Sequence, residues 1–111
     1  MIESLEKTPQ DVHSQLAGGT AVALIDVREP EEFALTSIEG SELVPMGSVP
    51  GQLQRLEGLA DEQSLMVICH HGVRSLQVVL WLRARGVENC FSVAGGIDRW
   101  SREVDPAVAR Y

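Results

Sequence analysis

Cysteine is scarce in this chain. Two residues, Cys69 and Cys90, are too few for a disulfide framework and are not spaced as C-x-x-C. Bases are scarce as well: nine lysines and arginines face sixteen acids, for a formal charge of −7. That balance argues against nucleic acid and against an anionic membrane as partners. Long apolar runs are missing, the longest being strand-sized, so no segment reads as a membrane span. The opening segment, Met1 to Lys7, carries acids where a secretory signal would carry bases and then an apolar block, which points to a cytoplasmic location. Repeats, linkers and low-complexity stretches are absent. A chain of 111 residues makes one domain, 1–111, able to bury an adequate core without disulfides or a structural metal.

What is present is a regular alternation. Thr8-Pro9-Gln10-Asp11 reads as a capped helix start, with Thr8 as N-cap, Pro9 in the first turn and Gly18-Gly19 as the stop. Ala21 to Asp26 is a continuous apolar run ending in an acid, as expected of a buried parallel strand. A short helix over Pro30–Leu35, a weak strand at Glu42–Val44 and a helix over Val49–Leu56 come next, the last with an awkward start at Pro50-Gly51. Leu65 to Ile68 is apolar on both faces and ends at Cys69. Gly72 to Arg85 reads as a largely buried helix, with Leu76, Val79 and Leu80 on one side and Val78, Trp81 and Leu82 widening the stripe. A strand at Cys90–Val93, a turn at Gly95-Gly96 and a helix over Ile97–Val104 anchored by Trp100 complete the chain. Strands and helices in this order predict parallel crossovers, with ligands bound beyond the carboxyl ends of the strands. Cys69 stands at that edge.

The segment Cys69-His70-His71-Gly72-Val73-Arg74-Ser75 has about five residues in which to turn from sheet to helix. The first N–H groups of a helix have no internal partner and point back at what precedes it. A curled loop adds further amides and forms an anion-binding nest, with the thiol of Cys69 at its centre, an environment that favours a reactive thiolate. Gly72 supplies the positive φ that a tight loop needs, and Arg74 either offers a planar fork to an oxyanion such as thiosulfate, the reading its position at a helix start favours, or neutralises a nearby acid. A persulfide on Cys69 would be an anion one sulfur longer, held by the same donors. Sulfur would arrive by attack of the thiolate on a donor and leave to a nucleophilic acceptor, a double displacement that requires no metal or organic cofactor. Cys90 opens an apolar strand at the opposite end from Cys69 and reads as structural. His70 and His71 line the pocket mouth or hold the loop, since three adjacent residues cannot readily converge on a tetrahedral ion. His13 reads as a helix-surface residue.

On these residues the chain resembles the rhodanese family, in its short single-domain form. The resemblance runs from the Thr8 helix to Trp100. It rests on Asp26-Val27-Arg28-Glu29, on Phe33, on Cys69 to Ser75, and on Ala94-Gly95-Gly96-Ile97 followed by Trp100. It implies a three-layer α/β fold with a five-stranded parallel sheet in the order 1-5-4-2-3 and helices on both faces. It also implies a catalytic Cys69 whose persulfide is cradled by the amides of His70, His71, Gly72, Val73, Arg74 and Ser75, with Asp26 and Arg28 as paired charges near the floor of the site. The activity implied is sulfur transfer from thiosulfate or persulfides to cyanide or a thiol, with thioredoxin-like or sulfur-relay proteins as partners. The chain departs from the family at Thr36-Ser37-Ile38-Glu39-Gly40-Ser41, where many relatives carry Gly-His-Ile-x-Gly-Ala.

Two other readings stand beside this one. Cysteine-dependent phosphatases place five residues between cysteine and arginine; here there are four, and the shorter loop encloses a ring better matched to one sulfur than to phosphate. A non-enzymatic relay or regulatory docking module would differ from an enzyme chiefly in handing its sulfur to a protein thiol.

Overall fold

The computed structural model describes residues 4–111, so Met1 to Glu3 of the opening segment lie outside the described residues. The elements in order are β1 (Glu6–Lys7), α1 (Pro9–Ala17), β2 (Val22–Asp26), α2 (Pro30–Leu35) and β3 (Glu42–Leu43). Two 3₁₀ turns at Met46–Ser48 and Pro50–Gln52 then lead into α3 (Leu53–Glu62), β4 (Ser64–Ile68), α4 (Val73–Ala84), β5 (Cys90–Val93) and α5 (Gly96–Glu103). All strands are parallel, in the expected order β1-β5-β4-β2-β3.

β4 lies at the middle of the sheet, so its side chains alternate between two buried faces. Leu65 and Val67, with Ile25 and Val27, pack beneath Leu56 of α3 and Val78, Val79 and Leu82 of α4. Met66 and Ile68, with Leu24, Phe91 and Val93, pack against Val12 of α1 and Ile97 and Trp100 of α5. Each such aliphatic side chain contributes about 1.5–3 kcal/mol through its removal from water. The same two-residue period carries past the end of the strand: Cys69 falls on the face of Leu65 and Val67, beneath the start of α4. Its placement is thus a consequence of strand register.

Local signals explain most boundaries. The Thr8 hydroxyl accepts from the Asp11 amide at 3.1 Å, capping α1 as expected. The helix expected over Val49–Leu56 instead occupies Leu53–Glu62, behind the two 3₁₀ turns. Pro50-Gly51 holds the chain in tight turns, while Leu53, Leu56, Leu59 and Ala60 supply the apolar face that docks on the sheet. Leu80, expected on the buried side of α4, is 49 % exposed. The buried stripe runs through Ser75, Val78, Val79 and Leu82, and Leu80 lies about 200° around the helix from Val78. β1 has only two residues, both charged, and is held by the Ser92 amide on Leu5 O and the Ala94 amide on Lys7 O. No helix among the described residues is long and apolar enough to cross a membrane.

Candidate active site

The turn after β4 is organised from behind, by α5. The free N–H groups of Ile97 and Asp98 in its first turn donate to the carbonyls of Cys69 and His70 at 2.8 and 3.1 Å. So close an approach requires glycine: a Cβ on Gly96 would stand 2.4–2.5 Å from atoms of those two peptide groups, and φ there is +62°. Gly72, at φ +98°, reverses the chain and opens α4. With the carbonyls engaged by α5, amides face the sulfur. Gly72 N and Ser75 N donate to Cys69 Sγ at 3.1 and 3.3 Å. The thiol lies 3.3 Å from Ser75 Oγ, which in turn shares a 2.7 Å hydrogen bond with Ser92 Oγ. Both serines are buried and Cys69 is 1 % exposed. Of the six residues from His70 to Ser75, it is therefore Gly72 and Ser75 whose amides reach the sulfur; His70, His71, Val73 and Arg74 form the rim.

The fork of Arg74 is closed on an acid. Its Nη1 and Nη2 donate to the two carboxylate oxygens of Glu32 at 2.7 and 3.0 Å. Glu32 also receives the Glu29 amide on Oε1 at 3.0 Å and the Tyr111 hydroxyl on Oε2 at 2.7 Å, so each carboxylate oxygen accepts two hydrogen bonds. The Arg74 hydrogen bonds hold the Glu32 carboxyl well below the usual carboxylate range, and the Glu32 hydrogen bonds raise the Arg74 guanidinium above its ordinary value.

A second ion pair lies beneath. Arg28 and Asp26, both essentially buried, meet at 2.7 Å. Burial opposes the Arg28 charge, yet the Asp26 and Tyr111 hydrogen bonds raise the guanidinium above its ordinary value. Beyond Asp26, the Arg28 guanidinium donates to the carbonyls of Glu32 and Thr36 and to the Tyr111 hydroxyl. It thereby ties β2 to both ends of α2 and to Tyr111. Removing one partner of such a pair leaves an uncompensated buried charge and costs about 3–5 kcal/mol.

The Tyr111 and His70 rings stack at 3.9 Å with an 8° tilt, and His71 stacks on the other side of His70 at 3.9 Å. His70 Nε2–H donates to the Tyr111 main-chain oxygen at 3.0 Å, which fixes its tautomer. Burial, reinforced by His71, pushes the His70 imidazole below its ordinary value. His70, His71 and Asp98 bring metal-ligating atoms within 4.8 Å of one another. The Asp98 carboxylate, however, accepts from Arg102 and Arg110, and Cys69 is not part of that group.

Three contributors were not singled out from sequence. Glu32 was legible only as a first-turn acid of α2, Ser92 as one residue of a short strand, and Tyr111 gave no signal. The tandem glycine before α5 was the one local hint that this helix presses on the loop.

Comparison with known proteins agrees with the geometry. The family model described as Rhodanese-like domain matches residues 8–103. The thiosulfate sulfurtransferase GlpE of Haemophilus influenzae is 35 % identical over 107 residues, 96 % of each chain. The probable adenylyltransferase/sulfurtransferase MoeZ of Mycobacterium tuberculosis is 30 % identical over 94 % of this chain, which spans only 26 % of that longer protein. The crystal structure of SSP1007 from Staphylococcus saprophyticus superposes with a TM-score of 0.77 at 33 % identity, covering 93 % of this chain and 97 % of that one. The human single-domain sulfurtransferase TSTD1 gives 0.76 at 27 % identity, covering 91 % and 98 %. Three of these four relatives are named as sulfurtransferases, and the chain belongs to the rhodanese-like domain family.

Proposed function

We propose that this protein is a sulfurtransferase that carries sulfane sulfur on Cys69, taking it from a small donor and passing it to a thiol or to cyanide. The observation that carries this reading is the pair of backbone donors, Gly72 N and Ser75 N, aimed at one buried cysteine sulfur. Backbone donors in a low-dielectric site stabilise an anion without having to reorganise. The Cys69 thiolate attacks the outer sulfur of the donor, forming the Cys69 S–S bond as the donor's own bond to that sulfur breaks. The donor remnant, sulfite or a thiolate, leaves with the electron pair. An acceptor nucleophile then takes the outer sulfur and returns the Cys69 thiolate.

The burial of Cys69 supports a carrier, because an enclosed persulfide is protected from water and stray thiols. It also means that the donor enters by displacing rim side chains, of which His71 and Val73 are exposed. The test is intact-protein mass spectrometry after incubation with thiosulfate or a persulfide donor. The expected result is a gain of one sulfur atom on Cys69, removed by cyanide. No cyanide-labile adduct with either donor would overturn the reading.

A further inference from the structure

The arrangement of charge around the rim bears on which donor the site accepts, given Cys69 as the sulfur carrier. We propose that Glu32 is the specificity-determining residue of this site. By closing on Arg74 it withholds the active loop's only arginine from the donor, and so favours alkyl persulfides of low charge over a small dianion such as thiosulfate. This proposal rests on the sulfurtransferase reading of Cys69.

The neighbouring cations are all engaged. Arg74 is held by both oxygens of Glu32. Arg28 is buried against Asp26, its remaining N–H groups directed to the carbonyls of Glu32 and Thr36 and to the Tyr111 hydroxyl. On α5 and the segment after it, Arg99 pairs with Glu103, while Arg102 and Arg110 pair with Asp98. His70 is shifted toward its neutral form. Among the described residues around the loop, every arginine thus faces an acid, in a chain whose net charge is already −7. A dianion approaching Cys69 gains little from cations already neutralised. An alkyl persulfide asks less. Its reacting sulfur needs only the two amides, and its carbon chain meets Val73, which is 66 % exposed at the first position of α4. Leu35, 67 % exposed, lies one turn from Glu32 on α2.

Glu32 is well placed for this role because its charge is secured. The Glu29 amide and the Tyr111 hydroxyl hold the carboxylate from the sides that Arg74 leaves open. Both reactions balance without a further reagent. With thiosulfate, the outer sulfur moves to the Cys69 thiolate and sulfite leaves with the pair of the broken S–S bond. With an alkyl persulfide, the outer sulfur moves likewise and the alkyl thiolate leaves.

The experiment compares kcat/KM for persulfide formation from thiosulfate and from 2-aminoethyl persulfide, whose ammonium offsets its negative sulfur. Four proteins are measured: native, Glu32→Gln, Arg74→Met and the double variant. The native protein is expected to prefer the alkyl persulfide. Glu32→Gln should shift the donor ratio toward thiosulfate by about tenfold or more, as expected for one cation released beside a dianion. Arg74→Met alone, which bares the Glu32 carboxylate, should move the ratio further from thiosulfate, and the double variant should lose the gain of Glu32→Gln. A native preference for thiosulfate, an unmoved ratio in Glu32→Gln, or a gain that survives in the double variant would each overturn the proposal. If Glu32→Gln does not fold, the native protein still decides. Its kcat/KM for thiosulfate should not fall as salt rises, whereas a steep fall would reveal an accessible cation and refute masking. Failure of both donors to leave a cyanide-labile sulfur would count instead against Cys69 as carrier.

Discussion

The two cysteines of this protein are equally buried, at 1 % and 0 % exposure, one just past the end of β4 and the other at the start of the neighbouring β5, yet their sulfurs face opposite backbone polarity. Cys69 receives N–H groups, from Gly72 and Ser75. Cys90 faces carbonyls: its thiol donates to Val87 O at 3.3 Å, with Val79 O at 4.0 Å. Burial pushes the Cys90 thiol up, against the opposing influence of the Arg83 guanidinium. Arg83 donates to the Cys90 carbonyl through Nε and Nη2. Depth in the core therefore does not distinguish the proposed carrier, Cys69, from a packing residue. The sign of the surrounding peptide dipoles does, and that sign is set by which end of a parallel strand the residue occupies. Cys90 pairs with Leu65 at the start of β4, whereas Cys69 comes after its end.

Exchanging the sulfur for oxygen should separate the two most sharply. Cys69→Ser is expected to lower transfer by about a thousandfold or more, the range for loss of a covalent nucleophile. Cys90→Ser can keep its hydrogen bond to Val87 O and should retain activity within about threefold, with at most about 1–2 kcal/mol lost in a urea titration. Comparable losses in both variants would break the contrast.

The next largest effect belongs to the device that turns the loop. Gly96→Ala places a methyl group 2.4–2.5 Å from the Cys69 and His70 peptide groups at a positive φ. A cost of about 3 kcal/mol is expected from strain and overpacking together. Because α5 then withdraws from those carbonyls, sulfur loading should fall even in the fraction that stays folded. Full loading at reduced stability would show that the amides hold their aim without α5.

The range of each interaction decides how legible it is in the sequence. The β4–loop–α4 unit declares itself locally, through an apolar run, a cysteine, a glycine and the periodic stripe of α4. The sheet order came from the family resemblance, and β1 carries no periodicity because two charged residues cannot show one. Arg74 marks a limit of local reading. Its position at a helix start suggests an anion, but its partner is 42 residues earlier on α2, and nothing in the sequence aligns the two elements. Tyr111 is further still, since it reaches Arg28 across 83 residues. The Gly95-Gly96 pair lay between these cases: the turn was legible, and the pressure of α5 on the loop was not.

A smaller effect is expected at Ser75, which offers Cys69 both an amide and a hydroxyl. Ser75→Ala keeps the amide and removes the hydroxyl between Cys69 Sγ and Ser92 Oγ, leaving Ser92 to lose a buried partner. A stability loss of about 1–2 kcal/mol and a loading rate reduced by about tenfold should result. A loss as large as that of Cys69→Ser would mean that the hydroxyl, and not the backbone, is what holds the sulfur.

The smallest effect tests the other cysteine through pH. Cys90 has its thiol raised above the ordinary value of 9.0 by burial, so in alkaline solution the unfolded chain releases this proton before the folded chain does. Between those two points the folded state binds more protons than the unfolded one, and linkage then requires stability to fall as pH rises. The contribution is fully present below pH 9.0 and is lost as pH climbs toward the folded value. One such group gives a slope of at most about 1.4 kcal/mol per pH unit. Urea midpoints measured from about pH 8 to about pH 10.5 should therefore decline more steeply in the native protein than in Cys90→Ala, the difference between the two isolating this thiol from Tyr111 and the other titrating groups. Parallel curves would mean that Cys90 ionises as readily in the fold as outside it, and the carbonyls around its sulfur would then set no polarity opposite to that at Cys69.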